Sequence, residues 1–124
     1  MRIGDGWTAG DAETAGKDTR GWFLGPFVDY APRLAAHGVQ VKWSRSSACD
    51  ARSDWATGDE TTSLAIVIDG SLLMQFRDEA VLLRPGEFVV WTRVDHRWTA
   101  VTDCTVVTVR WVDAPREPAS ESED

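Results

Sequence analysis

Short apolar runs separated by Gly, Pro and Asp recur along most of the chain, and they constrain its fold more than any other feature. In "GVQVKWSR" apolar residues alternate with polar ones, as they do in a strand with one covered face. Strands that follow each other about every ten residues and are joined by Gly or Pro turns are typical of a sandwich or closed barrel. The sequence therefore predicts an all-β fold. The further predicted strands are two in "TTSLAIVIDGSLLMQF" and one each in "AVLL", "FVVW", "HRWTAV" and "TVVTVRW".

Two turns and one helical segment separate these strands. Asp69-Gly70 is a dipeptide that tolerates positive φ, so it predicts a tight hairpin that fixes the register of both flanking strands. Pro85 and Gly86 predict a second turn. Only "YAPRLAAHG" could form a helical turn, which Pro32 and Gly38 keep short.

The ends of the chain differ from its middle. Residues 1–20 are rich in Gly, Asp, Thr and Ala without periodicity and predict a flexible or strand-swapped arm. Residues 114–124 are rich in Pro, Ser and acids and predict a disordered tail. We expect one folded domain over residues 21–113.

Charge and composition exclude some classes of partner. The net charge is −7 and the arginines are scattered along the sequence, so a nucleic-acid backbone is not an expected ligand. No apolar run is long enough to span a membrane, and the first residues contain no apolar signal core, so we expect a cytoplasmic protein. Cys49 and Cys104 are far apart and not in a Cys-x-x-Cys pair, which predicts neither a disulfide nor a thiolate zinc site.

The stretch that follows the second turn carries a recognisable motif. Pro85, Gly86 and Glu87 precede the apolar strand of residues 88–91, and His96 comes after it. This order resembles the later motif of the cupins, small jelly-roll barrels in which that histidine points into the barrel. Gly70 matches the glycine that closes their earlier motif. The segments "GWFLGPF", "VQVKW" and "TVRW" are also similar to those of a subgroup of very short single-domain cupins, so the resemblance covers about residues 20–112 and implies a jelly roll.

One departure from the cupin pattern bears on chemistry. Metal-binding cupins carry His-x-His and then a glutamate in the earlier motif, whereas this chain has Ser63 at the glutamate position and no histidine in residues 54–60. Three of the four ligands that the resemblance implies are therefore missing, and we expect no metal and no cofactor. The alternative is a reduced ligand set of His96 with Asp59 or Glu60.

Two residues are candidates for proton transfer. His96 has an imidazole whose ordinary pKa lies near neutrality, so a barrel-lining position would suit a proton shuttle. Lys42 lies mid-strand. If its face lines the pocket, it holds an anionic group or, with its pKa lowered by desolvation, acts as a base. If the other face lines the pocket, Lys42 is ordinary surface, and the sequence leaves this open.

Seven tryptophans indicate a pocket with large flat apolar walls. Trp98 lies two residues after His96, so both point the same way on a regular strand. We assign substrate binding to Trp98, Trp43, Ser63 and Arg110. As for Lys42, the sequence does not decide whether the strand face that carries Arg110 lines the pocket. The expected ligand is a small apolar or aromatic molecule.

Three functions compete at this point. The leading hypothesis is a metal-independent biosynthetic tailoring enzyme, namely an isomerase, cyclase or lyase. In it His96, together with Lys42, moves a proton. The others are a metal-dependent dioxygenase with a reduced ligand set and a non-catalytic ligand-binding or sensor module. Residues 1–27 contain two Trp and two Phe in a segment without a core of its own, which predicts a homodimer with the arm crossing over.

Overall fold

Antiparallel β-strands form most of the computed structural model, which describes residues 1–112. A short helix, α1 (Ala12–Ala15), and a 3-10 turn (Pro32–Leu34) are the helical parts of this region. The predicted tail of residues 114–124 lies outside the described residues. The strands are β1 (Arg2–Gly4), β2 (Trp7–Ala9), β3 (Trp22–Leu24), β4 (Val39–Ser46), β5 (Thr61–Asp69), β6 (Leu72–Phe76), β7 (Ala80–Leu83), β8 (Phe88–Thr92), β9 (His96–Ala100) and β10 (Cys104–Val112).

Two sheets face each other and enclose the interior. One has five strands in the order β3-β4-β10-β5-β8, and the other has three in the order β7-β6-β9. Strands distant in sequence are neighbours in both sheets: Val109 of β10 pairs with Val41 of β4 on one side and with Leu64 of β5 on the other. This arrangement confirms the predicted all-β jelly roll.

The turn at Asp69-Gly70 has a different role from the predicted one. Gly70 adopts the positive φ of +80° that the dipeptide predicts. However, β5 pairs with β10 and β8, whereas β6 pairs with β7 and β9. The two flanking strands therefore do not form a hairpin, and this prediction was wrong: the turn takes the chain from one sheet to the other. A dipeptide that allows a sharp turn sets the local backbone but not the partner of each strand.

The first 20 residues have structure of their own. β1 and β2 form a small antiparallel hairpin, and α1 begins after Asp11, whose carboxylate accepts a hydrogen bond of 2.9 Å from the Thr14 N–H. Neither feature is periodic enough in sequence to be predicted. The strand-swapped arm and the homodimer stay predictions.

Alternation along the strands separates the core from the outer surface. The buried core occupies one end of the space between the sheets and contains Ala65, Val67, Leu72, Leu83, Ala100, Cys104 and Val106. Along β10 the inward positions change from Cys104 and Val106 in this core to Thr108 and Arg110. The interior is therefore apolar at one end and polar at the other, and the polar end contains the candidate site.

Other sequence predictions have simple outcomes. Cys49 is exposed, Cys104 is buried, and both are free thiols, as predicted. Neither helical segment within residues 1–112 has the length and apolarity needed to cross a bilayer. The 3-10 turn confirms the short helical segment expected around Pro32, but α1 shows that the prediction of a single helical segment was wrong.

Candidate functional site

A cavity of about 460 Å³ lies between the two sheets beyond the core. Its size is within the range of pockets that take small organic molecules. Strands of both sheets and the loop between β4 and β5 form its walls. Two backbone bonds between Ala56 and His96, of 2.7 and 3.0 Å, fix this loop against β9.

The structure settles which face of β4 is inward. Lys42, Ser44 and Ser46 line the cavity. Because side chains alternate along a strand, Trp43 lies on the opposite face, outside the cavity. Trp43 was predicted to contact the ligand, but the structure places it outside this cavity, because the polar face of the strand is the inward one. Arg110 lies on the inward face of β10 and also lines the cavity.

His96 lines the cavity at the start of β9. Its ring lies 4.9 Å from that of Trp91, measured between centroids, with the planes tilted by 47°. Nδ1 is 3.2 Å from the carbonyl oxygen of Val94. Because a carbonyl only accepts, this contact places a proton on Nδ1 and leaves Nε2 with the lone pair in the neutral ring. This hydrogen bond favours the neutral tautomer in which Nε2 is the basic nitrogen.

Apolar side chains form the wall of the cavity next to His96. Trp98 lines the cavity, packs against the core, and pairs across β9 and β6 with Met74. Leu72 completes this wall, and Trp91 of the five-stranded sheet meets it at His96. The structure therefore places Trp98 beside the cavity, as its two-residue spacing from His96 predicts.

The facing wall is cationic. Lys42 on β4 and Arg110 on β10 both contact Trp22 of β3: the Lys42 Nζ lies 5.6 Å and the Arg110 Cζ 4.4 Å from the centre of the indole. Burial lowers the pKa of Lys42, and the nearby guanidinium groups of Arg110, Arg20 and Arg52 lower it further. This wall departs from the predicted largely apolar pocket.

Three further arginines at the cavity were not predicted as site residues. Arg20 precedes β3, Arg52 lies in the loop after β4, and Arg93 follows β8. Arg20 and Arg93 have positive φ angles of 56° and 57°, a conformation that costs energy for any residue with a Cβ. The arginines are scattered in the sequence, but the fold brings four of them to one cavity.

Ser63, predicted to bind substrate, and Asp59, considered as a metal ligand, also line the cavity. Ser63 is 7% exposed and lines the cavity, paired with Trp91 across β5 and β8. The Asp59 carboxylate accepts hydrogen bonds from the hydroxyl and the N–H of Thr61, and both lower its pKa. Asp59 therefore stays ionised at neutral pH. Glu60 does not line the cavity.

The donor set of the cavity does not fit a divalent metal ion. His96 and Asp59 are its lining residues of the His, Cys, Asp or Glu type, and no three such side chains cluster anywhere within residues 1–112. Stable transition-metal sites use three or four such ligands. Five Lys and Arg side chains in the same cavity would also repel a cation. No step through a metal follows from these residues.

Lys42 offers a stability test of the site. Its pKa in the folded chain lies below the ordinary value of 10.5, mainly because of burial. The folded state therefore carries a charge penalty at neutral pH, which decreases as pH rises from the folded pKa towards 10.5. We expect Lys42→Met to raise the free energy of unfolding at pH 7 by about 0.5–2 kcal/mol, the range common to stabilising single substitutions.

The matched control for this test is Lys17→Met, because Lys17 is exposed. Urea unfolding at pH 7 and at pH 10 measures both variants. The gain from Lys42→Met should be smaller at pH 10, and Lys17→Met should change little at either pH. A loss of stability at pH 7 on Lys42→Met would contradict the burial penalty.

The comparisons with known proteins concern the fold. The sequence matches no family model, and no curated protein matches it. Among solved structures, a cupin-2 domain containing protein from Shewanella frigidimarina is 26% identical, covering 72% of this chain and 83% of its own, with a TM-score of 0.53.

Two other solved structures are similar at lower identity. A cupin protein from Bacteroides fragilis is 13% identical over 73% of this chain and 79% of its own, with a TM-score of 0.60. A cupin superfamily protein from Desulfitobacterium hafniense is 15% identical over 61% and 69%, with a TM-score of 0.53. Together with the two facing sheets and the inward histidine after the Pro-Gly-Glu turn, these similarities show that the chain has the cupin fold, and the 26% identity to the Shewanella frigidimarina protein supports membership of the cupin superfamily.

Proposed function

We propose that this protein is a metal-independent tailoring enzyme, of the isomerase, cyclase or lyase type, that binds a small molecule in the barrel cavity. One observation carries the proposal: His96 of one sheet and Lys42 of the other line the same cavity. Two titratable groups on facing walls can remove a proton from a substrate at one atom and return it at another.

His96 is the proton shuttle in this proposal. Its Nδ1–H is held by the Val94 carbonyl, so Nε2 is the nitrogen that accepts a proton from the substrate. Trp91 restricts the ring from one side, which limits the entropy lost on reaching a reactive geometry. Lys42, with a pKa lowered mainly by burial, is the second group.

The apolar wall orients the substrate. Leu72, Met74 and Trp98 offer a surface that suits an apolar or aromatic skeleton and excludes water from it. Ser63 and Arg110 add polar contacts on the other sheet. Trp98 therefore contributes to binding, while the protonation chemistry is confined to the two titratable groups.

Solvent deuterium incorporation tests this function and does not require that the substrate be identified first. A small-molecule extract of the source cells is incubated with the protein in D₂O and compared with an extract without protein by high-resolution mass spectrometry. We expect at least one compound to gain deuterium or to convert to an isomer or elimination product. If no compound changes while one is retained by the protein through gel filtration, the protein is a non-catalytic binding module instead.

A further inference from the structure

The cavity contains an excess of positive charge that the proposed proton transfer does not use. Five Lys or Arg side chains and a single carboxylate, Asp59, line it, so it carries a net charge of +4 with His96 neutral. The whole chain has a net charge of −7. Placing like charges together in a half-enclosed site is unfavourable unless an opposite charge joins them. This concentration of positive charge in an acidic protein therefore requires an explanation.

Asp59, whose pKa is lowered by the hydrogen bonds from Thr61 and in part by the charge of Arg110, is the one carboxylate beside these cations, and ion pairs among the described residues do not neutralise the others. Within the part of the chain that the structure describes, the ion pairs are Arg45–Glu13 and Arg77–Asp95, and neither includes a cavity residue. Arg110 donates one hydrogen bond from Nη2 to the Gln40 Oε1, at 3.1 Å. Its Nε is buried and has no acceptor among the described residues. A buried donor without a partner is costly, and a ligand atom can supply the missing acceptor.

The polarity of the cavity has a direction. The five-stranded sheet provides Lys42 and Arg110, whereas the three-stranded sheet provides Leu72, Met74 and Trp98. A ligand that satisfies both walls has an anionic group at one end and an apolar or aromatic skeleton at the other.

We propose that the cavity binds small amphipathic oxyanions. Arg110 and Lys42 contact the oxyanion, and the apolar wall that contains Trp98 contacts an apolar skeleton. This assignment rests on the proposed function in so far as it uses the same cavity. It narrows the expected apolar or aromatic ligand to one that also carries a carboxylate or a phosphate. The guanidinium of Arg110 suits either group, because its planar donors can engage two oxygens at once.

The test uses three probes with the same skeleton: 1-naphthoate, 1-naphthyl phosphate and the neutral 1-naphthamide. Isothermal titration calorimetry at low ionic strength measures their dissociation constants. We expect at least one of the anions to bind 10-fold or more tightly than the amide, because a charge-assisted hydrogen bond contributes about 1.5–3 kcal/mol. The tighter of the two anions identifies the oxyanion that the site prefers. Raising the salt concentration should weaken only the anions.

Two variants locate the effect. Arg110→Met should weaken the preferred anion by roughly 10-fold or more and leave the amide unchanged. Arg45→Met is the matched control, because Arg45 lies on the same strand as Lys42 but does not line the cavity, and its exposed ion pair is with Glu13. Thermal unfolding of each variant confirms that it is folded. Should Arg110→Met unfold, Arg110→Lys replaces it: lysine cannot engage two oxygens at once, so this variant should still weaken the preferred anion, whereas Arg45→Met should not.

Clear outcomes overturn the inference. Equal binding of the amide and both anions, equal effects of Arg110→Met and Arg45→Met, or no binding of any probe would each reject an oxyanion site. Failure of the proposed function is seen separately, as the absence of deuterium incorporation or conversion in D₂O. A protein that binds 1-naphthoate through Arg110 but converts nothing would keep the inference and lose the catalytic role.

Discussion

Gly70→Ala is expected to destabilise the fold by about 3–5 kcal/mol, through a strained backbone and an overpacked contact together. Gly70 has a φ of +80° and connects the two sheets between β5 and β6. A Cβ built there would lie 2.0 Å from the Asp103 carbonyl oxygen and 2.8 Å from the Cys104 Cα. Both neighbours are backbone atoms at the start of β10, so they cannot move aside without displacing a central strand.

Gly86→Ala separates the two causes. Gly86 has a similar φ of +86°, but a Cβ there would meet no atom within 4 Å. It should therefore cost only the backbone term, about 1–2 kcal/mol. Urea unfolding followed by tryptophan fluorescence measures both variants against the wild type. Equal losses of stability would mean that the contact with Asp103 relaxes without cost. This result would contradict tight packing of Gly70 against the backbone at the start of β10.

The fold was predictable because apolar and polar residues alternate along parts of its strands. Apolar and polar residues alternate from Val39 to Ser44 in β4 and from Val107 to Trp111 in β10. Gly70 and Gly86 mark sharp turns, whichever strands pair with each other. The pairing itself was less accessible. β10 lies between β4 and β5 although it is last in the described chain, and no local signal specifies a partner so distant in sequence.

The inward face of β4 shows why part of the site was mispredicted. An apolar face normally faces the interior, so Trp43 was a reasonable ligand contact. In this barrel the five-stranded sheet has Lys42, Ser44 and Ser46 on the inside. Its other face carries apolar side chains, among them Ile68, Phe88 and Val90, which are 48%, 59% and 45% exposed. Alternation alone identifies two faces but cannot say which one encloses a cavity.

The charge of the cavity was beyond sequence reasoning for a different reason. Arg20, Arg52, Arg93 and Arg110 belong to four separate segments, and in one dimension they form no patch. They meet because two loops and the ends of β3 and β10 converge at one end of the sandwich. By contrast, the positions of His96 and Trp98 beside the cavity were predictable from sequence, because both their spacing and the preceding turn are local features.

His96→Gln should reduce the rate of proton exchange by about 10²–10⁴-fold, the usual contribution of a positioned general base. Glutamine places an amide near the position of Nε2, and an amide nitrogen is not basic. The substitution therefore removes the proton acceptor while it keeps a polar side chain of similar reach at the cavity. Substrate binding should change much less than turnover, because the apolar and cationic walls are left in place.

The chain contains its own control for this experiment. His37 is the other histidine, it is exposed, and it does not line the cavity, so His37→Gln should leave exchange unchanged. Time courses of deuterium gain or conversion in D₂O, with the compound found to react with the wild type, compare the three proteins. If His96→Gln retained the wild-type rate, the shuttle would have to be Lys42 alone. Proton exchange would then be abolished by Lys42→Met. This variant is expected to be more stable than the wild type at neutral pH, because the buried charge is gone.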